Sequence, residues 1–397
     1  MMFAPEACGH SSSAINTGSG PRVVNNSCRL PLLARPARPH RASAAHAALA
    51  AAAVLCWALL TPLPALAQAP APPAAEEPPT PSLTARLQTL ERARAAVVGL
   101  RIGAVDGARS AESLGTRRVG SGVVIGDDGL ILTIGYLLLE AESIEVTISQ
   151  GRSVPARTVA YDLATGFGLV RPLVPLRGVV AAPLGSSGAL TQGEFVLAGI
   201  GSDGEGTSAG IGITQLVSKR AFSGYWEYHI ESALFTSPPL PNHSGAPLFN
   251  QEGELIGIGS LFMADAGGSA RRGLSGNMFV PIDLLKPVLA ELQATGSTRA
   301  SRRPWLGLTS SEQAGRVEIV RVNRDSPASA AGLQSGDVVL EIDGTKVATL
   351  EAFYKRLWTR GEPEADVTLT VQRSTEVRTF VLRSIDRMQT MRKPSGI

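Results

Sequence analysis

The sequence predicts a mainly β protein: an all-β barrel or sandwich unit, then a smaller α+β unit. Three observations carry this reading. Between residues 97 and 282 nine short β-rich runs alternate with turn residues. A polar stretch from Ala294 to Arg303 then interrupts the chain, and beyond it strands alternate with two short helical segments. With 397 residues, 44% hydrophobic and 18% charged, the chain has enough apolar content for about two domains, which excludes a wholly disordered or collagen-like protein.

The elements follow in order. Residues 1–67 read as a leader, with Arg35, Arg38 and Arg41 ahead of the uncharged apolar run Ala47 to Leu60, then Pro62, Pro64 and the small-residue exit Ala65-Leu66-Ala67. That order is the one a secretory signal requires, with cleavage before Gln68. The mature protein is then periplasmic or secreted; the alternative is an anchor formed by the uncleaved run. Residues 68–94 comprise a Pro-rich linker and a short helix, in which Leu83, Leu87 and Leu90 recur at helical spacing.

Residues 97–102 begin the first β unit, assigned to 95–297. Its further runs are Ser121 to Ile125, Leu130 to Thr133, Ile144 to Ser149, Gly168 to Arg171, Phe195 to Ile200, Ile211 to Val217, Glu254 to Ile258 and Asn277 to Val280. Asp127-Asp128-Gly129 and Gln251-Glu252-Gly253 supply turns. From Pro281 to Leu292 the residues Leu284, Leu285, Val288 and Leu292 fall on one helical face, which predicts a closing helix. The second unit, 302–386, reads as strand Val317 to Val322, helix Pro327 to Gly332, strand Asp337 to Ile342, turn Asp343-Gly344, helix Leu350 to Arg360 and strands Asp366 to Arg373 and Glu376 to Arg383. Residues 387–397 read as a loose polar tail.

Charge and residue usage exclude several classes of function. Beyond residue 67 there are 32 basic and 33 acidic residues with no basic block, so there is no electrostatic footprint for nucleic acid. Cys8, Cys28 and Cys56 all lie in the leader, which leaves the rest without a disulfide, a thiolate metal site or a thiol nucleophile. Only His229 and His243 lie beyond it, too few for a histidine metal cage. No metal and no cofactor is expected.

The segment Asn242-His243-Ser244-Gly245-Ala246-Pro247-Leu248 resembles the serine-nucleophile region of trypsin-like proteases, and of their HtrA branch in particular. Gly120-Ser121-Gly122-Val123-Val124-Ile125 is similar to that branch's opening strand. Leu132-Thr133-Ile134-Gly135-Tyr136-Leu137-Leu138 falls where the branch carries its base motif, and Asp162 to Val170 where it carries its acid motif. Trp305-Leu306-Gly307-Leu308, Ser326-Pro327-Ala328, Ala331-Gly332-Leu333 and Gly336 to Gly344 look like a bacterial PDZ domain. The resemblance spans about residues 95–386. It implies a trypsin-like double β-barrel followed by a PDZ domain, together with a homotrimer or association with active HtrA relatives.

Transferred residue by residue, the family's machinery is degenerate. Its chemistry needs a base to take the serine proton, an acid to orient that base, and backbone N–H groups aimed at the oxyanion. The nucleophile position holds Ser244. The base position holds Tyr136, whose ordinary pKa near 10 makes it a poor acceptor at neutral pH. The acid position holds Gly166, which has no side chain, and the oxyanion position holds Asn242 in place of the family's glycine. In the PDZ-like unit the resemblance places the N–H groups of Leu306, Gly307 and Leu308 around a peptide carboxylate, with the strand after Gly307 pairing an extended ligand. Leu350 and Phe353 either wall that groove or pack the core. Two functions follow: a non-catalytic peptide-binding scaffold or regulator in envelope protein quality control, or an active serine endopeptidase. A structural envelope protein is a third.

Overall fold

The structure is a computed structural model and describes residues 82–148, 151–202, 206 and 208–392. The predicted signal, its cleavage site and most of the Pro-rich linker lie outside the described residues. No helix among the described residues is long and apolar enough to cross a membrane.

Helix α1 (Leu83–Ala96) runs directly into β1 (Val97–Ala104), where β-branched residues take over. After the short helix α2 (Ala111–Leu114) come β2 (Arg117–Val124), β3 (Ile131–Ile134), β4 (Ala141–Thr147), β5 (Ser153–Tyr161) and β6 (Phe167–Pro172). They close into a barrel in the order β1-β2-β3-β6-β5-β4. A second barrel repeats the plan: β7 (Phe195–Ile200), β8 (Gly210–Gly224), β9 (Tyr228–Ser237), β10 (Pro247–Phe249), β11 (Leu255–Met263) and β12 (Gly276–Pro281) close in the order β10-β11-β12-β9-β8-β7. Closure leaves neither sheet with an open edge.

One apolar core runs from the first barrel into the second, joining Leu100, Leu132 and Phe167 to Phe249, Ile258 and Ile282. At the seam the backbones touch: a Cβ on Gly99 would lie 1.6 Å from the Ser202 carbonyl oxygen. Only glycine permits that approach.

The third unit comprises β13 (Pro304–Trp305), β14 (Leu308–Gln313), β15 (Arg316–Val322), α4 (Pro327–Ala330), β16 (Val338–Ile342), β17 (Thr345–Lys346), α5 (Leu350–Trp358), β18 (Asp366–Arg373), β19 (Glu376–Arg383) and β20 (Ile385–Asp386), with α3 (Leu289–Thr295) preceding it. Its main sheet runs β14-β15-β16-β18-β19, so β14 is an edge strand, and β13 pairs with β20. Thr349 caps α5 by accepting from the Ala352 N–H at 3.1 Å. Leu350, Phe353, Tyr354 and Leu357 are all buried in this unit's own core.

The structure departs from the sequence reading at several places. Strands β5, β9 and β10 have no counterpart in it, and β14 enters it only as the strand after Gly307 that the resemblance implies. Of β5 only Val154 and Ala160 are buried, and β14 is polar apart from Leu308, so neither shows a clean apolar alternation. The predicted closing helix is broken into a 3-10 turn, Ile282–Leu284, and α3, because Pro287 supplies no N–H to continue the first turn. The polar stretch before the third unit is anchored at three buried residues, Thr298, Ser301 and Arg303. The Thr298 and Ser301 hydroxyls both donate to the Asp162 carboxylate, which also accepts from the Thr165 N–H at 3.0 Å. Within the predicted tail the described residues end at Arg392, which is held: its N–H donates to Glu140 at 2.8 Å, and its guanidinium to the Asp106 carbonyl at 2.9 Å.

Candidate active site and carboxylate loop

Ser244 sits in the loop between β9 and β10, at the junction of the two barrels. Its carbonyl accepts from the Ser121 N–H of β2 at 2.8 Å. Next to it Gly245 has φ of +74°, and a Cβ there would lie 2.0 Å from the Ser121 carbonyl oxygen. The Ser244 loop is therefore clamped against the first barrel at a glycine.

Tyr136 comes from the 3-10 turn Gly135–Leu138 that follows β3. The buried Arg118 holds this turn, donating to the Leu139 carbonyl at 2.5 Å and to those of Tyr136 and Leu137 at 3.3 Å. The Tyr136 hydroxyl lies 2.8 Å from Ser244 Oγ and 2.8 Å from the Ser260 carbonyl oxygen. A carbonyl only accepts, so whenever the phenol proton lies on Ser260 the serine hydroxyl donates to the phenol. Burial pushes the Tyr136 pKa up to about 12, against a smaller downward pull from Ser244. The group bonded to the nucleophile is thus a weaker acid than ordinary tyrosine and stays protonated at neutral pH.

Gly166 has φ of +85°, and a Cβ there would come 3.1 Å from the Tyr228 hydroxyl, which itself donates to the Thr165 carbonyl at 2.6 Å. Tyr228, which sequence reasoning does not single out, fills the space beside the acid position. Asn242 is exposed and is not among the non-glycine residues with positive φ. Among the described residues no imidazole hydrogen-bonds Ser244. Burial lowers the His243 pKa, and its ring lies by the backbone of Leu240 and Pro241, while His229 Nδ1 is 2.9 Å from Ser223 Oγ. His229, Glu231 and Glu351 group ligand-type atoms within 4.8 Å of one another. The Lys355 ammonium, 2.7 Å from both glutamates, takes the place a cation would occupy.

The N–H groups of Leu306, Gly307 and Leu308 converge on a carboxylate from this same chain. Glu227 Oε1 accepts from the N–H groups of Gly307 at 2.8 Å, Leu308 at 2.9 Å and Leu306 at 3.3 Å, while Oε2 accepts from Leu306 at 3.0 Å. Glu227 lies at the turn between β8 and β9. Burial pushes its carboxyl above the usual range, against the opposing pull of the three N–H donors. Gly307 makes the loop possible: its φ is +82°, and a Cβ there would lie 2.3 Å from the Ser326 Cβ. Leu350 and Phe353 belong to the core of this unit, 3% and 0% exposed with the β8–β9 turn seated beside α5. The α5 side chain that reaches the turn is Tyr354, donating to the Gly224 carbonyl at 2.7 Å. Its signal in the sequence is weak, because it lies on the same buried face as Phe353.

A family model described as a trypsin-like peptidase domain matches residues 120–258, and one described as a PDZ domain matches 304–383. A probable periplasmic serine endoprotease, DegP-like, of Halomonas elongata is 34% identical over 275 residues, covering 66% of this chain and 55% of that relative. A protein of the same description from Pseudomonas savastanoi pv. phaseolicola is 32% identical over 246 residues, covering 58% and 48%. The chain thus spans about half the length of the curated relatives it matches. Among solved structures, the HtrA-type protease AlgW with a tripeptide is 22% identical, with a TM-score of 0.47, covering 77% of this chain and 97% of that one. The chain is therefore similar to the DegP-like serine proteases, with a trypsin-like double-barrel domain followed by a PDZ domain.

Proposed function

We propose that this protein is a pseudoprotease of the exported compartment, a non-catalytic scaffold or regulator in envelope protein quality control that recognises peptide carboxy-termini through its PDZ domain. The observation that carries the reading is the 2.8 Å contact between Ser244 Oγ and the Tyr136 phenol, where proton abstraction needs an imidazole. A phenol with its pKa near 12 does not accept the serine proton at pH 7, and Gly166 offers nothing to orient a substitute. Fold alone does not carry activity when the site is incomplete. The PDZ part rests on three successive N–H groups converging on one carboxylate oxygen. The periplasmic description of the relatives, with the apolar leader, supports export.

The test is proteolysis by purified protein lacking residues 1–67, using unfolded casein at neutral pH. No fragments above the Ser244→Ala background are expected. Casein cleavage that Ser244→Ala abolishes would establish the competing reading, an active serine endopeptidase.

A further inference from the structure

The β8–β9 turn is seated in the PDZ domain in the manner of a ligand. Two features of a bound peptide are reproduced. The Ser310 N–H of edge strand β14 donates to the Tyr225 carbonyl at 2.9 Å, a strand-pairing contact, and the Glu227 carboxylate fills the loop at Leu306 to Leu308. Further contacts hold the turn from the other side. Tyr354 of α5 donates to the Gly224 carbonyl, Lys355 pairs with Glu231 at 2.7 Å, and the Arg303 guanidinium, 3.6 Å above the Trp358 ring, donates to the Glu227 carbonyl at 3.2 Å.

We infer that residues 224–227 act as a built-in competitor for the PDZ groove, with the Glu227 side-chain carboxylate standing in for a peptide's terminal carboxylate. The inference deepens the peptide-binding reading and rests on it. A carboxy-terminal peptide must displace the turn, because both need the same three N–H groups and the same edge of β14. Displacement also breaks contacts that join the second barrel to α5, so ligand binding and release of the PDZ domain become one event. Glu227 is built for a reversible contact: it has φ of +59°, a left-handed conformation that a glutamate adopts at a cost. A groove closed in about nine chains of ten weakens the measured peptide affinity about tenfold.

The test compares the full chain lacking residues 1–67 with its Glu227→Gly and Glu227→Gln variants. Glycine removes the carboxylate and relieves the backbone; glutamine keeps the shape without the charge. The probes are ten-residue peptides ending in a free Val, Leu or Phe carboxylate, each with its amide as control, titrated by fluorescence anisotropy. Amide hydrogen exchange at Leu306, Gly307 and Leu308 is followed in parallel. Both variants should bind the carboxylate peptides at least about tenfold more tightly than the parent, and their three amides should lose protection. Equal affinities in parent and variants, or amides as unprotected in the parent as in Glu227→Gly, would overturn the competition. Loss of protection with no binding of any peptide to any chain would overturn both the competition and the peptide-binding reading. Loss of protection with equal binding of acids and amides would overturn carboxylate recognition alone as the basis of competition, and with it the role given to Glu227.

Discussion

Ser244 should be chemically inert, and the reason can be probed by returning a base to position 136. At pH 7 a phenol of pKa about 12 is ionised in about one molecule in 10⁵, so the parent protein should react with a fluorophosphonate no faster than Ser244→Ala. Tyr136→His places an imidazole on the turn that Arg118 holds against the nucleophile loop. It still lacks an orienting acid, and in serine proteases the loss of a correct acid partner alone lowers kcat by about 10⁴, because the imidazole is left in the wrong tautomer. Labelling of this variant should therefore rise above background yet stay at roughly 10⁻⁴ of a complete triad. Adding Gly166→Asp should not supply the missing factor. The φ of +85° at Gly166 costs a β-carbon residue about 1–2 kcal/mol, and the Tyr228 hydroxyl stands 3.1 Å from the new Cβ. Mass spectrometry of the labelled Ser244 peptide is the assay, with urea unfolding to check that the double variant is folded. Rapid labelling of the parent at pH 7, lost in Ser244→Ala, would refute the argument at its root. Full activity in the double variant would refute the part that concerns Gly166.

Three further outcomes follow from the geometry. Gly307→Val should destabilise the protein by at least about 2 kcal/mol in urea, through left-handed strain and the 2.3 Å approach to Ser326, and a cost below about 0.5 kcal/mol would count against the described loop. Asp162→Ala strands the Thr298 and Ser301 hydroxyls and the Thr165 N–H, and should cost about 3 kcal/mol by the same measurement, whereas a neutral effect would mean that the segment before the PDZ domain is not anchored there. Because the Tyr136 pKa is raised in the folded state, its stabilising contribution is intact below about pH 10 and is lost as pH rises through about 12; comparing urea unfolding at about pH 9 and about pH 11.5, the loss should be smaller in Tyr136→Phe by roughly 2 kcal/mol, and identical losses would refute the burial argument.

The amino-acid sequence alone carried the mainly β class and the order of the two units. Short apolar runs punctuated by turns specify paired β strands because each strand must bury one face, and they leave barrel or sandwich open until the family resemblance is added; Tyr136 and Gly166 stand at the positions that the resemblance assigns to the base and the acid. Where the signal was poor the physical cause is visible. In β14 polar residues serve an edge strand, and in the stretch before the PDZ domain Thr298 and Ser301 look like solvated linker residues until Asp162, 136 and 139 residues away in sequence, is brought to them. The occupant of the carboxylate loop lay beyond sequence reasoning altogether. Glu227 is one acid among many in a turn, and nothing in its neighbours marks it out. It becomes a ligand because the second barrel presents that turn to three N–H groups about 80 residues further along the chain. Contacts between residues so far apart in sequence are decided by how the domains pack, which no local pattern encodes.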